Sequence, residues 1–386
     1  MPKGQSFTGK VLFQYFYDIG GDIDLENLPS EKLNVVERTR PKTTRILAPK
    51  YEEIGLKPVE VNLGQVEMSG LKFAVSGKIF PIGVIEICLS TDFKGIGIED
   101  LIKLVCVNEE KIRSGSSEKD FDEVPLEFFR EIKSTIKRAI VYPYPQFENP
   151  EVYTVVVLSE TEPQMRAKDF MKRYRKMTAG ILRGEKEWLS LSDREVDDAL
   201  KFYLSYSDKE IVIVDWYSAL VSGGSEYVDE LVGMMELAKI QLLELKTYDR
   251  LLDRRIEKAY ESLRSVFTGS RIGIAWLSRT YGELSKTASE LAELRIEVMD
   301  YVGDLRNILK FTGEWYLGKL YRAASERFRV GDWLVLVDKK LDQLQDLYAI
   351  AMERVDVHRA TSLEFLVILL IISLVILEIL MVLQKI

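Results

Sequence analysis

The sequence predicts an α+β head, then an antiparallel helical bundle or coiled-coil stalk, then one C-terminal transmembrane helix. Three observations predict it. Runs rich in β-branched and aromatic residues alternate with helical stretches before Tyr227, apolar residues recur at steps of three and four after it, and Phe365–Leu383 is almost wholly apolar. The domains that follow are 1–160 for the head, 161–226 for its mixed helix and strand continuation, 227–364 for the stalk and 365–383 for the span.

In the head, Val11–Tyr17, Leu71–Val75, Ile82–Leu89, Val152–Leu158 and Glu210–Leu220 read as strands. Between them Glu99–Cys106, Phe121–Ala139, Gln164–Ile181 and Asp193–Leu204 read as helices. The last opens on Ser192 followed by acids, the pattern of an N-cap whose side chain takes up a free amide. Pro143, Pro145 and Pro150 mark a loop.

The stalk rests on spacing. Leu231, Met235, Ala238, Leu242, Leu245, Leu252, Ile256, Ala259 and Leu263 fall on one seam, interrupted by Asp249. Leu284, Ala288, Leu291, Arg295, Val298, Val302, Leu305 and Leu309 form a second, beyond short polar stretches containing Gly269, Gly273 and Gly282. Together they predict an antiparallel hairpin. A third seam runs from Leu334 through Val337, Leu341, Leu344, Tyr348, Ala351 and Val355 to Phe365, with His358 and Ser362 as its polar members. No Pro or Gly interrupts Asp332–Ile386, so one helix of about 75 Å is expected there. Leu336, Leu347, Ile350 and Val357 widen its stripe, which favours a bundle with two neighbours.

Phe365–Leu383 at about 1.5 Å per residue extends about 28 Å, close to the ~30 Å of a bilayer core. It is broken by Ser373 and Glu378. An ionised Glu378 at mid-bilayer costs about 2.5 kcal/mol or more, so it is expected near an interface, protonated or facing a partner helix. The N-terminus MPKGQSFTGK lacks the apolar stretch of a signal peptide. The expectation is a single-pass, tail-anchored membrane protein whose N-terminal body is cytoplasmic.

Composition narrows the chemistry. The 386 residues carry 53 basic and 61 acidic side chains, a formal charge of −8. Two cysteines, Cys88 and Cys106, rule out a disulfide scaffold, and His358, the only histidine, cannot build a Cys/His metal site. No phosphate-binding glycine motif surrounds Gly20-Gly21, Gly95-Ile96-Gly97 or Gly223-Gly224. Hence no catalytic, cofactor-binding or metal-binding residue is assigned and no cofactor is expected. Two basic stretches stand against the acidic background. They are Arg38–Lys50 and the segment with Arg166, Lys168, Lys172, Arg173, Arg175 and Lys176, which interleaves Phe170 and Tyr174. Clustered cations with aromatics suit RNA or an anionic lipid surface, whereas no direct DNA binding is expected.

The C-terminal third resembles the Rmd/Sif family, named for sporulation and meiotic nuclear division genes. The resemblance rests on Glu314-Trp315-Tyr316, Leu320-Tyr321, Asp338-Lys339-Lys340-Leu341, and Arg359 followed by Leu363-Glu364-Phe365 before an apolar run with Glu378. Pro81-Ile82-Gly83-Val84-Ile85 matches a family strand more loosely. The resemblance implies an αβ head, a helical stalk, a membrane anchor and self-assembly, and it transfers no catalytic residue. His358, Ser362, Glu364 and Glu378 are candidate assembly or membrane contacts, the last two nearly on one face at about 100° per residue. The function expected is a membrane-anchored homo-oligomeric scaffold whose head binds a protein or ribonucleoprotein partner. The alternative is a channel or transporter subunit with the head, stalk and span layout of CorA-type magnesium channels.

Overall fold

The computed structural model describes residues 6–29, 31–36, 57–109, 111–114, 117–141, 143–144, 149–162, 165–222, 227–268, 282, 296 and 315–383. The strands are β1 (Ser6–Asp18), β2 (Asp22–Ile23), β3 (Val59–Met68), β4 (Leu71–Ile79), β5 (Val84–Ile96), β6 (Lys111–Ser114), β7 (Ser117–Asp120), β8 (Ile140–Val141), β9 (Glu151–Glu162), β10 (Phe202–Leu204), β11 (Ile211–Val214) and β12 (Ser218–Ser222). The helices are α1 (Ile98–Val105), α2 (Glu123–Thr135), α3 (Ala167–Arg183), α4 (Asp193–Ala199), α5 (Val228–Thr268), α6 (Trp315–Arg327) and α7 (Val330–Leu383). Two compact units result: 1–247 with 304–333, and 248–303 with 334–386.

The first unit is built on an eight-stranded sheet in the order β10-β11-β12-β9-β1-β5-β4-β3, antiparallel except where β12 runs parallel to β9. Alternation sorts the long central strands onto two faces. Phe7, Val11, Phe13, Tyr15 and Tyr17 of β1 join Phe73, Ile87, Leu89 and Val156 in an apolar core with Leu101, Phe129, Phe170 and Tyr174 from α1, α2 and α3. The opposite face carries Gln14, Lys78, Glu86 and Cys88, because Gln14 pairs with Cys88 and Lys78 with Glu86 across the ladder. A bulge in β1 at Thr8/Gly9 falls where a Cβ on Gly9 would meet the Val157 carbonyl oxygen at 1.9 Å, so only glycine allows that approach.

The two sheet faces explain why strand readings based on β-branched runs land on the right segments but misplace some ends. The run read as Ile82–Leu89 begins instead at Val84, because Gly83 (φ 82°) closes a tight turn between β4 and β5. The run read as Glu210–Leu220 is a hairpin folded at Asp215–Tyr217. The helix read to Leu204 stops at Ala199, and Phe202–Leu204 is the edge strand β10. β3 was not expected, because its sequence VEVNLGQVEM is half polar, as an edge strand's is.

In the second unit Lys340 of α7 reaches Asp249 and Asp253 of α5, each at 2.6 Å, and Gln343 donates to Tyr260 at 3.4 Å. The second seam, Leu284–Leu309, and the hairpin built on it lie outside the described residues, as do Gly223-Gly224 and the basic stretch Arg38–Lys50.

The expected transmembrane helix is corrected. Among the described residues no helix is long and apolar enough to cross a membrane. α7 runs 54 residues, and its apolar C-terminal part is interrupted by Ser373 and Glu378. The tail anchor and the single-pass placement with a cytoplasmic body, both inferred from the span, are withdrawn with it.

Candidate functional site

The polar sheet face is covered by the first turns of α5, whose run LVGMMELAKIQLLELKT is rich in apolar residues and buried except for the half-buried Lys246. The charges inside that run therefore enter the protein with it. Gln14 Nε2 donates to Glu86 Oε1 at 2.8 Å and to Glu236 Oε1 at 2.7 Å. Lys78 Nζ donates to both Glu236 oxygens at 2.5 and 2.6 Å and lies 3.3 Å from Glu86 Oε2. One cation thus faces two buried carboxylates. Burial, reinforced by the Glu236 charge, pushes the Glu86 carboxyl up to about 7. The neighbouring Cys88 thiol is pushed up by burial and then by Glu86.

One turn along α5, Lys239 is 2% exposed. Its Nζ donates to the Trp216 carbonyl at 3.0 Å and lies 4.4 Å from the Phe328 ring, 5.1 Å from Tyr153 and 5.9 Å from Tyr217. Burial lowers it to about 8, opposed by Glu151. Arg327, the last residue of α6, is sandwiched between Phe202 and Trp216 and binds Asp215 and Asp198. Arg183 of α3 meets the same two carboxylates, at 2.6 Å to Asp198 and 3.2 Å to Asp215. The hydrogen bond from Arg327 is the main reason Asp198 falls to about 2, while burial raises Asp215.

These clusters hold elements together. One cleft is lined by Asp253, Glu257 and Tyr260 on the outer side of α5, and another by Ile102, Lys103 and Trp188 beside α1. Neither is lined by Glu86, Lys239 or Arg327. The described residues contain no group of three or more His, Cys, Asp and Glu side chains placed to hold a metal ion. Sequence reasoning missed Gln14, Lys78, Glu86, Glu236, Lys239 and Arg327. The available signal was a charge inside an otherwise apolar run, as in IGVIEICL and MMELAKI.

The basic segment is α3, and the structure divides its residues. Phe170 and Tyr174 point into the apolar core and are not interleaved on the surface. Arg166 pairs with Asp169 at 2.9 Å and Arg175 with Asp197. Lys168, Lys172 and Arg173 are exposed and Lys176 is half-buried, without an ion pair among the described residues. Arg173 also lies 5.6 Å over the Tyr174 ring. Of the α7 candidates, Glu364 and Glu378 are exposed, whereas the side chains of His358 and Ser362 lie outside the described residues.

Comparison with known proteins fixes the relationship. The family described as "Uncharacterized protein MJ0711, N-terminal domain" matches residues 8–227. The chain is 27% identical over 265 residues to "Uncharacterized protein MJ0711" of Methanocaldococcus jannaschii, covering 68% of this chain and 74% of that protein. No solved structure matches. The Rmd/Sif resemblance is therefore corrected: the match lies on the sheet-bearing N-terminal part. The residues that suggested Rmd/Sif, such as Leu320-Tyr321 and Asp338-Lys339-Lys340-Leu341, sit in α6 and α7, where any amphipathic helix repeats similar spacings. With its profile covering more than half of the sequence, this chain belongs to the MJ0711 N-terminal domain family.

Proposed function

We propose that this protein is a non-catalytic assembly scaffold: copies join through α7, and the α/β unit holds a protein or ribonucleoprotein partner. One observation carries the reading. In Leu366–Met381 every described aliphatic side chain and Met381 is between 39% and 63% exposed, on all sides of the helix. Soluble monomers rarely expose so large a contiguous apolar surface, and at roughly 25 cal/mol per Å² its removal from water is a strong drive to associate. Because apolar side chains face every side of the helix, one neighbour leaves part of them wet, which favours three or more copies over two. The channel alternative needs a spanning helix and is not carried forward.

Light scattering behind size exclusion tests the scaffold. The full-length protein is expected as one defined oligomer at micromolar concentration. Ile368→Glu combined with Ile372→Glu and Ile379→Glu should dissociate it without changing its circular dichroism. A wild-type monomer across that range overturns the reading.

A further inference from the structure

We infer that the solvent face of α3 is a docking strip for the phosphate backbone of double-stranded nucleic acid. This names the chemistry of the partner and rests on the reading that the α/β unit holds one.

The helix is amphipathic, with Ala167, Phe170, Tyr174, Met177 and Ile181 directed into the core. At about 100° per residue Lys168 and Lys172 lie opposite that buried face, and the half-buried Lys176 follows beyond Tyr174. Lys168 and Lys172 are one turn, about 6 Å, apart. The helix carries a non-helical residue at Tyr174, between the second and third lysine. Arg173 and Arg175 flank the row, Arg175 already paired with Asp197 of α4, and the one acid of α3, Asp169, is taken by Arg166. In a chain of net charge −8, a row of cations unneutralised by its own acids is a local exception.

The row discriminates among anions. Single strands are held by stacking bases on exposed aromatic rings, and this face has none, since Phe170 and Tyr174 are internal. A duplex needs no stacking platform, because it is gripped through its backbone, where one negative charge falls about every 1.7 Å of axis in B-form DNA. A row of lysines can neutralise several such charges at once. A-form RNA is likewise contacted through phosphates and 2′-hydroxyls rather than base edges.

Fluorescence anisotropy with the full-length protein and a 20-base-pair RNA duplex tests the strip, with DNA of the same sequence and polyglutamate as further arms. Affinity for the duplex should fall at least tenfold between 50 and 200 mM KCl. The triple variant Lys168→Gln, Lys172→Gln, Lys176→Gln should lower the log–log salt slope by about 0.9 per lysine in contact. The triple Lys→Arg variant should restore binding, and Lys72→Gln with Lys94→Gln, exposed elsewhere on the sheet, should leave it unchanged. RNA preferred over DNA supports the strip with a sugar contact, and parity supports it through phosphate alone. Polyglutamate bound as tightly as the duplex overturns it in favour of an acidic protein, and an unchanged salt slope in the Gln variant overturns it outright. A stable oligomer without duplex affinity sinks the strip but spares the scaffold. A monomer that binds duplex does the reverse.

Discussion

Glu86 lies opposite Phe16 in the β1–β5 ladder, buried with a single lysine shared between it and Glu236. An acid held above its unfolded value binds its proton more tightly in the folded state. Its contribution to stability is therefore complete below pH about 4.5 and is lost as pH rises through about 7. The shift corresponds to about 3 kcal/mol, an order-of-magnitude figure. Urea unfolding midpoints should accordingly fall between pH 5.5 and 8.5 in the wild type, and Glu86→Gln should remove most of that fall. Equal slopes in the two proteins refute the assignment. A second residue-scale test is Asp215→Asn. It leaves Arg327 and Arg183 facing one carboxylate fewer inside the protein, and should cost about 3 kcal/mol by the same unfolding measurement. The sequence marks these residues as charges within apolar runs. Pairing Gln14 with Glu236, 222 positions later, is a tertiary event that no local pattern encodes.

At the scale of elements, the turn between β4 and β5 is the most constrained point. Gly83 has φ 82°, and a Cβ there would lie 2.1 Å from the Gly21 carbonyl oxygen. Its own carbonyl accepts from Ile19 N at 2.9 Å, tying the turn to the end of β1. Gly83→Ala should cost at least about 2 kcal/mol and lower the melting temperature by several degrees in calorimetry. An unchanged melting temperature contradicts the packing. Long elements with strong periodicity were legible: β1, β5, β9 and α3 stand where their residue types predict. β3 and β10 were not. An edge strand is only half buried, and a three-residue strand is too short to display alternation.

For the whole molecule, self-association makes stability depend on concentration, because folding and assembly are linked by mass action. Thermal midpoints are expected to rise over a hundredfold increase in protein concentration, and to stay constant in the Ile368→Glu, Ile372→Glu, Ile379→Glu variant. A concentration-independent wild type contradicts assembly through α7. The amino-acid sequence by itself determined a sheet-bearing first half, long helices in the second half, and a basic segment in an acidic chain, since each depends on composition or short-range period alone. It misjudged the apolar run of α7, because a count of apolar letters does not say what surrounds them. Tertiary structure alone decided that Phe170 and Tyr174 face inward, leaving lysines as the exposed row of α3. It alone brought Lys78, Glu86 and Glu236 together, because the partners of a buried charge are chosen by how distant segments pack.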